Sequence, residues 1–107
     1  MPQACEVNQS ANGSTLVLAT DQPLIIQLPE NPSTGYRWLM QPCSGVRVDK
    51  DTFTLGNTDV AGASGVRRLQ LSVIAAGTHH LTLLHGREWE PSYKAIARFD
   101  LTVNLAS

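Results

Sequence analysis

Few residues of this chain carry the chemistry of a reactive group. The histidines are His79, His80 and His85, and the cysteines are Cys5 and Cys43. A histidine paired with a Ser or Cys makes a base with its nucleophile, and histidines grouped with further donors hold zinc. Neither pattern forms. "PSTG" at residues 32–35 is not a Gly-x-Ser-x-Gly elbow, and neither cysteine stands in a peptidase-like or redox motif. His79 and His85 share a strand face by parity, but Leu81 and Leu83 share it too, which marks histidines at the rim of a core face rather than ligands. The sequence predicts no catalytic residue, no metal ligand and no cofactor.

What remains is binding chemistry, concentrated in three loops. The first, "NPSTGY", comprises Asn31, Pro32, Ser33, Thr34, Gly35 and Tyr36. Asn31 before proline is biased to extended geometry, Pro32 fixes its own φ, and Gly35 can take a positive φ. The tip thus offers two hydroxyls on a constrained backbone. The second loop, in "DVAGASGVRR" at residues 59–68, contains Gly62, Ala63, Ser64 and Gly65, small residues that let another backbone approach. The third, in "HGREWEPS" at residues 85–92, carries Arg87, Glu88 and Trp89. An indole between Glu88 and Glu90 is badly placed for a core and well placed as an anchor for a partner. Taken singly, these are a tight turn, a flexible loop and a tryptophan that folds back on its own sandwich; together they are harder to read as scaffolding. Arg67 and Arg68, just past the second loop, lie where an acidic rim of a partner could meet them.

Such loops need a rigid frame, and the rest of the chain supplies strands. Leu24, Ile26 and Leu28 fall on one face; so do Leu69, Leu71 and Val73, and Phe99, Leu101 and Val103. These alternations predict half-buried antiparallel strands. Further strand-like runs are 15–19, 35–40, 46–50 and 78–85, separated by turn signals at "ANGS", "TDQP", "QPCSG", "GNTD" and "AAGT". The chain of 107 residues suits one domain, 1–107, with residues 1–13 as a loosely ordered leading segment. Seven or eight short strands predict an all-β, immunoglobulin-like antiparallel sandwich, in which alternate connections share an end. A net charge of -1 gives no reason to expect nucleic acid or an anionic membrane, and no apolar run reaches the roughly 18 residues of a membrane span. The first residues lack the regions of a signal peptide. That reads as cytoplasmic for the chain as written, or periplasmic or secreted for a mature form. Cys5 and Cys43 are expected as two unpaired thiols, with a single disulfide the alternative in an oxidising compartment.

The loop residues also resemble a family, the chagasin-type inhibitors of papain-like cysteine peptidases. Its first loop reads Asn-Pro-Thr-Thr-Gly and an aromatic residue; residues 31–36 match with Ser33 for the first Thr, and Trp38 stands where the family has a Trp. Its second loop carries Gly-x-Gly-Gly, met at Gly62 and Gly65 with Ser64 departing. Its third reads Arg-Pro-Trp, met at Arg87 and Trp89 with Glu88 in place of Pro. "AAGTH" at 75–79 also resembles the family's approach to the third loop, and the likeness runs from about Leu16 to Leu105.

The resemblance implies a monomeric, reversible inhibitor whose three loops form a wedge in the cleft of a cathepsin-L-like or similar peptidase. It implies that Ser33 sits nearest the catalytic cysteine with Thr34 beside it, that the second loop clamps one side, and that Trp89 packs on aromatic surface at the other. Glu88 is expected to loosen the third loop and add negative charge, and Ser64 to cost some close approach. The alternative is an immunoglobulin-like adhesion or ligand-binding module that uses the same loops.

Overall fold

The structure is a computed structural model, which describes residues 3–30, 35–54, 65–87, 89–91 and 94–105. Its elements are β1 (Cys5–Asn8), a short 3-10 turn (Gln9–Ala11), β2 (Ser14–Leu18), β3 (Leu24–Glu30), β4 (Arg37–Met40), β5 (Val46–Thr54), β6 (Gly65–Val73), β7 (Gly77–Gly86) and β8 (Ala97–Leu105). One four-stranded sheet has the order β1-β3-β6-β5 and the other β2-β8-β7-β4. The expected sandwich is therefore present.

Its core follows from the alternation. Leu24, Ile26 and Leu28 of β3, with Leu69 and Leu71 of β6, meet Leu81 and Leu83 of β7 and Phe99, Leu101 and Val103 of β8; Leu18 and Trp38 close the sides. Burying a side chain of this size stabilises by about 1.5–3 kcal/mol, so this cluster holds the two sheets face to face. The intervening residues of β6 and β8 are exposed at Arg68 and Arg98 and half-buried at Gln70 and Thr102. Several strands run longer than their apolar pattern: β5 reaches Thr54 and β6 begins at Gly65. Their outer ends are held by ladder bonds, which a hydropathy alternation does not register.

Two features differ from expectation. Residues 5–8 are not loose: β1 pairs in parallel with β3, Cys5 opposite Leu24 through Asn8 opposite Gln27. β2 likewise runs parallel to β8, from Ser14 opposite Leu101 to Leu18 opposite Leu105. The sandwich is thus mixed rather than wholly antiparallel, because the leading chain lies along one sheet and then crosses to the other. The crossing is the 3-10 turn, capped by the Asn8 side chain, which accepts from the Ser10 N–H at 2.9 Å. Asn12 then accepts from the Asp100 N–H at 2.8 Å and seats β2 on β8. Four residues are too few to show a period, and their partner strand is distant in sequence.

Cys5 and Cys43 are both free thiols. Cys43, between β4 and β5, points its Sγ at the His80 carbonyl at 3.4 Å. Gly45 in the same turn has φ +84°, and a Cβ there would lie 2.7 Å from the His79 ring, so only glycine fits.

Candidate functional site

Strand pairing alone brings the three loop stems to one end of the sandwich. The first loop leaves β3 at Glu30, which pairs with Gly65, the residue that ends the second loop. It enters β4 at Arg37, opposite Gly86, from which the third loop departs. The second loop leaves β5 at Thr54 opposite Val66, and the third returns near Ala97 opposite His85. These are neighbouring positions at one edge, so the connections after β3, β5 and β7 must emerge side by side.

Of the residues singled out in the sequence, Gly35, Tyr36, Gly65, Arg87 and Trp89 lie within the described structure. Asn31, Pro32, Ser33, Thr34, Gly62, Ala63, Ser64 and Glu88 lie outside the described residues. Gly35 has φ +77°, and a Cβ there would lie 3.1 Å from Trp89 Cη2 and 3.8 Å from Arg87 Nε. The first and third loops therefore touch, with the indole and the guanidinium over the glycine. Arg87 stacks 4.3 Å above the Tyr36 ring and lies 6.0 Å from the Trp89 ring. The third loop begins with a turn in which the Glu90 N–H donates to the Arg87 carbonyl at 3.1 Å. Arg87 Nη1 also reaches Glu90 Oε1 at 3.3 Å. At this turn Trp89 is 74% exposed. Ile96, whose N–H donates to the His85 carbonyl, is a second exposed apolar side chain at the same end.

Beneath this edge lies a buried polar cluster that the loop motifs did not disclose. Glu30 is 2% exposed and Arg67 8%. Glu30 Oε2 accepts from Arg67 Nε at 3.1 Å and from Nη2 at 2.6 Å, while Oε1 accepts from the Trp38 backbone N–H at 2.7 Å. Arg67 Nη1 donates to Asp51 Oδ1 at 2.9 Å, and the guanidinium lies 5.3 Å from the Phe53 ring centre. Burial alone lowers the guanidinium pKa, but the hydrogen bonds and charges of Glu30 and Asp51 outweigh it and raise it, so Arg67 stays charged. Arg67 is therefore no rim residue. The expectation that it meets an acidic partner surface fails, because its side chain is turned inward onto Glu30. Arg68 points outward and pairs with Glu6 at 3.1 Å.

His85 completes the layer below the edge. Its ring stacks on Trp38 at 4.6 Å and 14°, and meets Tyr36 edge-on at 5.9 Å. The Trp38 indole N–H donates to the Pro29 carbonyl at 2.8 Å. Burial lowers the His85 pKa, opposed by the Glu30 charge and a hydrogen bond to the Tyr36 backbone. Among the described residues its buried Nε2 has no hydrogen-bond partner. A neutral, stacked imidazole under an aromatic residue is a packing element.

One signal for this layer was present in the sequence. Glu30 continues the inward parity of Leu24, Ile26 and Leu28, and Arg67 that of Leu69 and Leu71. Each is a charge at an inward position, and only the register of β3 on β6 makes the two a pair.

The model of the chagasin family peptidase inhibitors, I42, matches residues 17–103. The chain belongs to the chagasin family. Chagasin of Trypanosoma cruzi is 33% identical over 90 residues, covering 78% of this chain and 82% of that protein. The crystal structure of the cysteine protease inhibitor EhICP2 from Entamoeba histolytica superposes with a TM-score of 0.84 at 24% identity, over 97% of this chain and 96% of that one. PbICP-C, solved in complex with falcipain-2, has the same fold at a TM-score of 0.58 and 16% identity, over 98% of this chain and 91% of that one. The family to which the three loop motifs pointed is thus the family of the chain.

Proposed function

We propose that this protein is a reversible, tight-binding inhibitor of papain-like cysteine peptidases that closes their active-site cleft with the three loops after β3, β5 and β7. The observation that carries the reading is the convergence of the three stems on one edge, in a chain of the chagasin family, with Trp89 exposed there. In this reading Asn31, Pro32, Ser33, Thr34, Gly35 and Tyr36 meet the catalytic centre. Gly62, Ala63, Ser64 and Gly65 clamp one side, and Arg87, Glu88 and Trp89 the other.

The mechanism involves no chemistry by the inhibitor. A papain-like site holds a reactive thiolate beside an imidazolium, so a carbonyl presented in substrate orientation is attacked. A wedge survives by being rigid and misaligned. Ser33 keeps the hydroxyl of the family's threonine and gives up a methyl, so a polar contact to the catalytic residues is retained with less packing. Glu30, Trp38 and Gly35 restrict the stems before binding, so less ordering entropy is lost on association. Inhibitor complexes of standard size bury about 1,600 Å² and reach nanomolar affinity, about -12 kcal/mol.

The test is a titration of papain and of a cathepsin-L-like peptidase, with trypsin as control. Inhibition of the two cysteine enzymes alone, with constants in the nanomolar range, is expected. Absence of inhibition at micromolar protein overturns the reading.

A further inference from the structure

The buried cluster under the loops has a geometry that stability alone does not call for. Glu30 and Arg67 occupy inward positions that continue the apolar ladders of β3 and β6. Two apolar residues there would extend the core, and replacing a buried ion pair by well-packed apolar side chains is often neutral or stabilising. What an apolar pair lacks is direction. Charge-assisted hydrogen bonds fix angles as well as distances.

We infer that Glu30 is a positioning residue of the inhibitory edge: its carboxylate joins both stems of the first loop and the stem of the second into one rigid base. This rests on the peptidase-inhibitor reading above. Glu30 is the last residue of β3 before the first loop, and its Oε1 takes the N–H of Trp38, in the strand that the loop enters. Its Oε2 takes two donors of Arg67, two residues into β6 from the end of the second loop. Arg67 in turn reaches Asp51 on β5, the strand that leads into that loop. Trp38 returns its indole N–H to the Pro29 carbonyl, beside Glu30, so β4 is tied to β3 twice. The two Trp38 bonds cross from one sheet to the other, while those of Arg67 tie β3, β6 and β5 within one sheet. The third loop joins through contacts on the same residues, His85 stacked on Trp38 and Arg87 on Tyr36.

The experiment compares wild type, Glu30→Gln and the double variant E30L/R67L. Three quantities are read: melting temperature, inhibition constant for papain, and backbone amide hydrogen exchange. Exchange is followed at Gly35, Tyr36, Trp38, Gly65 and Arg87, with Leu71 and Leu101 as core references. The double variant is expected to melt only modestly below wild type, because no charge is left buried alone and the Trp38 N–H is the one buried donor that loses its acceptor. Its stem amides should exchange at least about tenfold faster with the core references unchanged, and its inhibition constant should rise at least about tenfold, mainly through faster dissociation. Glu30→Gln keeps an acceptor but loses the charge, and should fall between. A merely structural role would move melting and leave the stems and the constant alone. A folded double variant with wild-type stem exchange overturns the inference, and so does loosened stems with an unchanged constant. If the double variant does not fold, Glu30→Gln decides by the same two criteria. If wild type inhibits no cysteine peptidase, the functional reading fails by itself, and stem exchange still shows whether Glu30 holds the edge rigid.

Discussion

Replacing Trp89 with alanine separates binding from folding in one experiment. The indole is 74% exposed in the free protein, and among the described residues it lies against Gly35 and Arg87. An aromatic side chain that buries about 200 Å² when covered has roughly 150 Å² of that still available here. At about 25 cal/mol per Å² its burial in a cleft contributes about 3.7 kcal/mol. Ordering the side chain on binding costs about 1 kcal/mol, which leaves about 2–3 kcal/mol. Trp89→Ala should therefore raise the inhibition constant about 30- to 150-fold, largely through dissociation. Folding should hardly notice, since truncating an exposed side chain changes stability by no more than about 0.5 kcal/mol. Slow-binding progress curves with papain give both rate constants, and thermal melts supply the control. A folded variant whose constant stays within threefold of wild type refutes the anchor role of Trp89.

Other expectations follow from the layer beneath the loops. Gly35→Ala forces a side chain into left-handed backbone and against Trp89 at 3.1 Å; it should cost about 1–2 kcal/mol in a denaturant melt and also weaken papain inhibition. Arg67→Leu alone leaves the Glu30 carboxylate buried without its partner and should destabilise by about 3–5 kcal/mol, far more than E30L/R67L, a difference that urea unfolding of the two variants reads directly. His85 has a lowered pKa in the fold, so the unfolded chain binds the proton more tightly. Stability is therefore full above about pH 6.5 and is lost as the pH falls from there towards the folded value. Melts from pH 7.5 to 5 should show a steeper acid loss in wild type than in His85→Phe, and parallel profiles would count against it.

The sandwich was readable because its inner faces alternate with period two. Leu24, Ile26 and Leu28, or Phe99, Leu101 and Val103, announce a buried strand face without help from the rest of the chain. β1 escaped because its alternation, Cys5 and Val7 inward against Glu6 and Asn8, lasts only four residues and its parallel partner lies some twenty positions on, so pairing more than pattern makes it a strand. The loops were legible for another reason: Pro32, Gly35 and an indole among carboxylates are conformational and chemical oddities, visible one residue at a time. The Glu30–Arg67 pair was not, because it exists only when two strands 37 positions apart are laid side by side. Parity placed each residue inward, yet a single charge at an inward position reads first as a break in the pattern.

The third loop shows how the frame can absorb a departure from the family motif. The family places proline between the arginine and the tryptophan, and this chain has Glu88. A proline there would fix one φ and lower the entropy of the free loop. In this chain the same stretch is held by bonds instead: the Glu90 N–H on the Arg87 carbonyl, Glu90 Oε1 on the Arg87 guanidinium, and Lys94 within 3.9 Å of Glu90 Oε2. Each of these half-exposed ion pairs contributes only a few tenths of a kcal/mol. Their common point is Glu90, whose partner Arg87 also stacks on Tyr36 at the exit of the first loop. The restraint that proline would apply to one loop is thus moved to a contact between two. The third loop keeps its place only while the first keeps its own, and the buried carboxylate of Glu30 is where that dependence ends.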